Sequence, residues 1–149
     1  MELVKISFGT FSLRATREWQ FFPIERFILA RHDARVGLLK ISPAEDTPPP
    51  SPNAADLFRI AEKLIAATPL SAPFDVRNPQ SNDPLFGAAS YKIRPKQQDF
   101  YTRAWFLARD RQVTYATYGC PWAAYQSDAA QREIYQCEQM VLSIRHEPD

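Results

Sequence analysis

Glycine, histidine and cysteine are scarce: 4 Gly, 2 His and 2 Cys in 149 residues. Each shortage closes off some chemistry. A loop that cradles phosphate needs several glycines close together, and this chain has no glycine-rich stretch. A zinc site needs three or four nitrogen, sulfur or oxygen ligands. The His–carboxylate neighbours are His32-Asp33 and His146-Glu147, and neither has a third ligand at helical or strand spacing. The thiols Cys120 and Cys137 make no CxxC pair. Cys120 follows Gly119 as a nucleophile could, but its candidate bases are only His32 and His146. No GxSxG nucleophile elbow is present. Glu18, Glu25, Asp83 and Asp99 fall in loop or turn segments with ordinary solvated roles. No metal and no cofactor is expected, and the balance favours binding over catalysis.

Long apolar runs are also missing, so no membrane-spanning helix is expected. Met1 to Lys5 begins a strand pattern and not a charged-then-apolar leader. The expected location is therefore cytoplasmic, with both thiols buried and reduced. A Cys120–Cys137 disulfide stays open as an alternative, one thiol at a strand end and one on a covering helix. Charge of one sign is absent as well: 18 Lys plus Arg face 17 Asp plus Glu, a formal net charge of +1. Nucleic acid is not an expected partner, because its binders carry a basic stripe. The cations are mostly arginine, 13 against 5 lysines, the better residue for bidentate pairing and for stacking on rings.

What is present suits a folded domain. The chain is 45% hydrophobic and 13% aromatic, which argues one domain over residues 1–149. Val4, Ile6 and Phe8 alternate with polar residues, and Phe11 and Leu13 continue the pattern past Gly9, a bulge or bend. Residues 14–25 hold Trp19, Phe21, Phe22 and Pro23 and read as a loop pinned by aromatics. Phe27–Arg31 and Val36–Ile41 read as a hairpin around a turn at 32–35. The proline-rich stretch 42–52 reads as a stiff extended connection. Asn53 or Ser51 can cap a helix whose face is Leu57, Ile60, Ala61, Leu64 and Ile65, ending before Pro69. A connection with a short strand at Phe74–Arg77 follows, then strands at Leu85–Arg94, Phe100–Arg109 and Val113–Cys120. Ser127 or Asp128 caps a last helix with the stripe Ala130, Ile134, Cys137, Val141 and Ile144. Strand runs joined by hairpins predict an α+β fold, an antiparallel sheet of about six strands with helices packed on it.

This order resembles the PsbP-like superfamily. The matching residues are Thr16-Arg17-Glu18-Trp19 after the first strand, Trp105 to Asp110 entering the late hairpin, Val113 to Cys120 leaving it, and Val141 to Arg145 ending the last helix. Ala15-Thr16 stands where many relatives carry a proline. The superfamily includes an extrinsic photosystem II subunit, a Ran-binding nuclear-import factor and bacterial DcrB-like proteins. The resemblance implies an α/β/α sandwich and a non-enzymatic, protein-binding role. Some bacterial relatives accompany secretion systems as adaptors or immunity proteins.

The candidate partner-binding residues are aromatic and basic, the types that dominate interface hot spots. Tyr101, Arg103, Trp105, Leu107 and Arg109 share one strand face, with Tyr91 and Arg94 on the neighbouring strand. Trp122 and Tyr125 sit in a loop without periodic partners, and Phe22 follows Trp19 in the first loop. The partner expected from these is another protein, the chain itself being a monomer or a homodimer. The alternative is a small-ligand binder or enzyme with a pocket between the sheet and the N-terminal Trp loop, near Arg103 or His32.

Overall fold

A computed structural model of the chain describes residues 2–9, 11–25, 27–43, 72–80, 85–94, 97–109 and 112–146. The first strand pattern is two strands, β1 (Val4–Phe8) and β2 (Phe11–Ala15). They pair antiparallel from Val4 opposite Ala15 to Phe8 opposite Phe11. The bulge or bend expected at Gly9 is thus a hairpin reversal between two paired strands. Gly9 has φ +65°, which the primed turns of tight hairpins require and glycine adopts without strain.

The segment expected as an aromatic loop is β3 (Trp19–Ile24), hydrogen-bonded to β4 (Phe27–His32) from Trp19 opposite His32 to Ile24 opposite Phe27. Consecutive aromatics and Pro23 obscure the alternation in sequence. In space Trp19 and Phe21 turn inward and Phe22 outward. Pro23 is tolerated because β3 is an edge strand. β5 (Leu38–Pro43) starts two residues later than the pattern Val36–Ile41 predicts. The reason is that the Val36 and Gly37 N–H groups donate to the Glu133 carboxylate and not to a neighbouring strand.

The expected helix with Leu57 to Ile65, and most of the proline-rich connection before it, lie outside the described residues. β6 (Ala72–Gln80) is longer than the expected Phe74–Arg77, with register shifts near Pro73 and past Arg77. Two prolines within it are compatible with its place at the other sheet edge. β7 (Leu85–Ile93), β8 (Phe100–Arg109) and β9 (Gln112–Pro121) follow closely the strands predicted. A 3-10 turn (Trp122–Ala124) leads to α1 (Asp128–Leu142). A short unforeseen strand, β10 (Arg145–His146), pairs with β2.

The fold is an α+β sandwich. One antiparallel sheet runs β3-β4-β5-β9-β8-β7-β6 and a small one runs β1-β2-β10. One sheet of about six strands was expected; instead the first strand pattern splits into β1 and β2 of a separate small sheet, and the large sheet gains β3, hidden in the aromatic segment. Side chains alternate across a strand, so the large sheet has two chemically distinct faces. One face carries Ala30, Leu39, Ile41, Trp105, Ala116 and Tyr118, and meets Cys137, Met140 and Val141 of α1 together with Leu13 and Ala15 of β2. The other carries a second buried cluster, with Ala89, Tyr91, Ala104, Phe106 and Val113.

Both ends of α1 are closed by side chains. The Ser127 hydroxyl accepts the Ala130 N–H at 3.2 Å, as an N-cap should. At the other end the Arg109 guanidinium donates to the carbonyls of Leu142 at 2.7 Å and Ile144 at 3.0 Å, where the helix leaves acceptors unpaired and negative. The expected stripe holds at Ala130, Cys137 and Val141; Ile144 is buried but lies past the end of the helix, Ile134 is only partly buried, and Glu133 and Met140 are inside.

Gly37 sits against the ring of Tyr118, and a Cβ at that position would run into the ring and the Gly119 carbonyl. Gly37→Ala is expected to cost about 1–3 kcal/mol, as overpacking does. Thermal denaturation should show the midpoint lowered by several degrees.

Candidate functional site

Two of the five expected partner-binding residues are interior. Arg103 is 7% exposed and Tyr101 is buried beside it. The Arg103 guanidinium donates to Ser90 Oγ at 2.7 Å, lies 3.8 Å from Glu138 of α1, and sits 5.9 Å from the Trp105 ring centre. The Trp105 indole N–H donates to Glu138 at 3.2 Å. Helix α1 therefore covers this strand face, and its arginine and aromatics make intramolecular contacts. Tyr91 does not share the face: it stands opposite Thr102 and belongs to the other cluster.

Trp122 and Tyr125 are half-buried and have core partners after all. Tyr125 stacks on Tyr101 with centroids 4.7 Å apart and planes 4° from parallel, and Trp122 lies 4.7 Å from Tyr125. Lys92 Nζ sits 4.6 Å over the Trp122 ring and 3.6 Å from Asp99. Arg94 grips the same carboxylate at 2.6 Å, and this pairing lowers the Asp99 pKa. The Trp122 N–H donates to the Asp99 carbonyl at 3.0 Å. The turn thus closes one end of the α1-side core and presents only the outer parts of its rings.

Phe22 is different. It is 47% exposed, with Ile24 at 42% on the same face of β3 and Leu38 at 39% on β5. The register puts Phe22 opposite Leu29, Ile24 opposite Phe27, and Leu29 opposite Lys40. Phe27 and Leu29 are half-exposed, and Lys40 Nζ lies 4.4 Å over the Phe27 ring. Of the exposed side chains on this face the sequence reading singled out Phe22 alone. The signal is the outward half of the alternation, legible only once residues 19–24 are paired as a strand.

A buried polar cluster lies beneath the β4–β5 turn. Glu133 is fully buried. Its carboxylate accepts from Tyr118 Oη at 2.9 Å, from the Gly37 N–H at 3.0 Å and from the Val36 N–H at 3.1 Å. His32 packs edge-on against Trp19, with centroids 5.2 Å apart. Its Nδ1 accepts the Ala34 N–H at 2.9 Å, and its Nε2 is 3.2 Å from Glu18 without hydrogen-bond alignment. No Cys–His pair forms with His146, whose Nε2 meets Thr114 Oγ1 at 3.1 Å. Thr114 and Cys120 are six residues apart on β9, about 20 Å of extended chain. Both thiols are free and buried. Burial pushes Cys120 up to about 11 and Cys137 well above the usual thiol range, so neither supplies a thiolate near neutrality.

Two open clefts flank the Trp loop. The larger, of 560 Å³, lies between that loop and α1, with Thr16, Trp19, Arg132, Tyr135 and Met140 among its walls. Neither Arg103 nor His32, the residues expected beside a pocket near the Trp loop, is among the walls of this cleft. The Trp19 indole N–H donates to Gln136 at 2.8 Å and fixes its inner wall. The smaller, of 340 Å³, is lined by Lys5, Ser12, Arg14, Arg109, Ser143 and Arg145, among others. Among the described residues no helix is long and apolar enough to cross a membrane.

Comparison with known proteins places the fold in a class. No protein-family model and no curated protein sequence matches the chain. Solved structures do. The solution structure of cyanobacterial PsbP (CyanoP) from Synechocystis sp. PCC 6803 matches at TM-score 0.62 and 8% identity, over 97% of this chain and 92% of that one. Protein PA94 of unknown function from Pseudomonas aeruginosa matches at TM-score 0.59 and 14% identity, over 93% and 95%. A Bacteroides thetaiotaomicron protein matches at TM-score 0.55 and 12% identity; the match covers 94% of this chain but 46% of that protein. The chain has a PsbP-like fold, and at these identities the likeness speaks for the fold alone.

Alkaline pH should unfold the protein through its buried acids. Burial raises Tyr115 to about 12 from 10.0 and Cys120 to about 11 from 9.0. A raised pKa in the folded state favours the protonated form there. The associated stability is complete below pH 9 and is lost as pH rises from 9 to 12. Urea midpoints across that range should fall steadily. Thiol labelling at pH 8 should reach neither cysteine until urea unfolds the chain.

Proposed function

We propose that the chain is a non-enzymatic protein-binding domain, in an adaptor, chaperone or immunity role, that docks its partner on the outward face of β3, β4 and β5. The carrying observation is the grouping of exposed apolar side chains. Among the described residues five large hydrophobics are exposed, and three of them, Phe22, Ile24 and Leu38, fall on this face. Phe22 and Ile24 stand opposite the partly buried Leu29 and Phe27, and Leu38 lies farther along the same face, an apolar grouping of the kind that marks an interaction site.

The rim defines the chemistry of the partner. Lys40 stands beside Leu29, and Arg31 stands opposite Gln20 on the same face. An apolar anchor flanked by acidic residues would bury the rings and meet the cations. Pairing of a partner strand along the edge is less suited, because Pro23 of β3 lacks the N–H that strand addition needs. Tyr101 and Arg103 support this reading only indirectly, as the interior against which the Trp122–Tyr125 turn is held.

The test is a titration of the purified domain with a partner captured from the source cells. Phe22→Asp with Ile24→Asp should weaken binding more than tenfold and shift the thermal midpoint by only about 2 °C, since both side chains are exposed. Trp122→Ala should keep the affinity. Full binding by the double variant, with loss in Trp122→Ala, would move the interface to the aromatic turn. Light scattering of the double variant against the wild type reads whether a second copy of the chain is the occupant.

A further inference from the structure

We infer that His32 is a proton-operated latch on the β4–β5 turn, closed while the imidazole is neutral and released when the ring takes a second proton. The side chain is buried, 5% exposed, and stands at the last position of β4, directly before the turn. Its Nδ1 accepts the Ala34 N–H at 2.9 Å, so the proton of the neutral ring sits on Nε2. A side-chain acceptor for the N–H two residues on is a common means of holding a tight turn. Backbone bonds complete it: the Arg35 N–H donates to the His32 carbonyl at 2.9 Å, and the Asp33 N–H to the Glu18 carbonyl at 2.9 Å. Arg35 has φ +56°, a left-handed conformation disfavoured for a residue with a Cβ. The turn is thus held by its bonds against a backbone that prefers another shape.

The neutral ring leaves its surroundings incompletely satisfied. Nε2 lies 3.2 Å from Glu18 Oε2 without hydrogen-bond alignment. Among the described residues, His32 Nε2 and Glu18 Oε1 are both buried with no hydrogen-bond partner. Nδ1, besides its bond to Ala34, is 3.9 Å from Glu133 Oε2. Both carboxylates are therefore within ion-pairing reach of the ring, Glu18 from the loop before β3 and Glu133 from α1. The other ionisable neighbours are known. Tyr118 of β9 donates to Glu133 Oε1 at 2.9 Å. Cys120 and Cys137 stay protonated thiols near Glu133. Asp33 and Arg35 follow His32 in the turn and are exposed. The remaining contact is apolar, the Trp19 ring packed edge-on.

A second proton reverses the role of Nδ1. A histidinium donates from both nitrogens, so the Ala34 N–H loses its acceptor and meets another N–H. The new Nδ1–H turns to Glu133 Oε2, the same oxygen that takes the Val36 N–H at 3.1 Å. The Nε2–H gains a charged partner in Glu18. One proton thus exchanges two bonds of the turn for two ion pairs. The Gly37 N–H and the Tyr118 hydroxyl hold the other oxygen, Oε1, so the change stops at Gly37. The segment that moves borders Leu38 of the apolar face, which places the edge of that face under pH control. This last consequence rests on the docking surface proposed above; the latch itself does not, and the spectra that test it need no partner.

Nuclear magnetic resonance spectra of the full chain, followed from about pH 8 to about pH 4.5, test the inference. The chain has 2 histidines, so each ring can be followed by itself. The Ala34 and Val36 amide protons should shift along the His32 titration curve and share its midpoint. Their protection from hydrogen exchange should fall about tenfold or more between the neutral and the protonated form, while Gly37 keeps its protection. His32→Asn sets a carboxamide oxygen near the place of Nδ1, an acceptor that does not titrate, so the turn should stay closed across the range. His32→Gln has no acceptor at that place and should show the open turn already at the upper end. Glu18→Gln removes the charge facing Nε2 and should lower the His32 midpoint by about half a pH unit or more, since an opposite charge favours the protonated ring. Far-UV circular dichroism, unchanged across the range, separates opening of the turn from acid unfolding. Titration of the His32 ring with Ala34 and Val36 still protected would overturn the inference. So would the same loss of protection in His32→Asn as in the wild type, a ring that stays neutral throughout, or loss of protection at Gly37 together with Ala34 and Val36.

Discussion

The arrangement of helix and sheets depends on one buried carboxylate. A charge inside a protein is tolerated only when its lone pairs are satisfied, and losing its partners costs several kcal/mol. Glu133 meets that demand with three donors from two places, the Tyr118 hydroxyl on β9 and the Val36 and Gly37 amides of the β4–β5 turn. These bonds fix the rotation of α1 about its own axis. With Glu133 turned inward, Cys137, Met140 and Val141 face the sheet, and Arg132, Tyr135 and Gln136 are left to face the Trp loop. Burial, with Cys120 and Glu133 close by, raises the Tyr118 pKa. The phenol therefore stays a donor across the ordinary pH range.

The arginines divide into two kinds with different work. Arg103 and Arg109 tie strand β8 to the helix from inside, one through Ser90 and Glu138, the other through the last helical carbonyls. Arg14, Arg132 and Arg145 stay at the surface around the two clefts. A guanidinium serves both settings because it is planar, always charged and rich in donors. The exposed apolar side chains divide in the same way, between the outward face of β3 to β5 and the mouth of the larger cleft. A near-neutral chain thus carries two local surfaces that its average composition conceals.

Much of the fold was legible in the residues. β7, β8 and β9 lie within a residue or two of their predicted limits, and the last helix starts where its cap predicts but stops at Leu142, short of the expected Ile144 and Arg145. Their patterns are strong: period two in Phe100–Arg109, a helical stripe through Cys137 and Val141, and a serine where a cap belongs. β3 was not legible, because Trp19 to Ile24 contains a proline and neighbouring aromatics, and only pairing with β4 sorts them onto two faces. The site was less legible than the fold. Phe22 is exposed, whereas Tyr101 and Arg103, offered as candidate partner contacts, lie beneath α1 and the aromatic turn. Strand alternation says that two residues share a face. It does not say which face a helix will cover.

Composition and periodicity by themselves determined the class of fold, the order of most strands, the amphipathic helix and its cap, because these follow from local geometry and the burial of apolar side chains. Gly9 marked a bulge or bend in the first strand pattern, and only the pairing of β1 with β2 showed a hairpin there. Tertiary structure alone decided that Glu133 is interior, that Arg103 is a tie and not a contact, and that Arg14 stands between a cationic cleft and an apolar one. Those outcomes depend on residues 13 to 129 positions apart meeting in space. No local pattern in a single sequence encodes which distant partner will satisfy a buried charge or leave a surface one exposed.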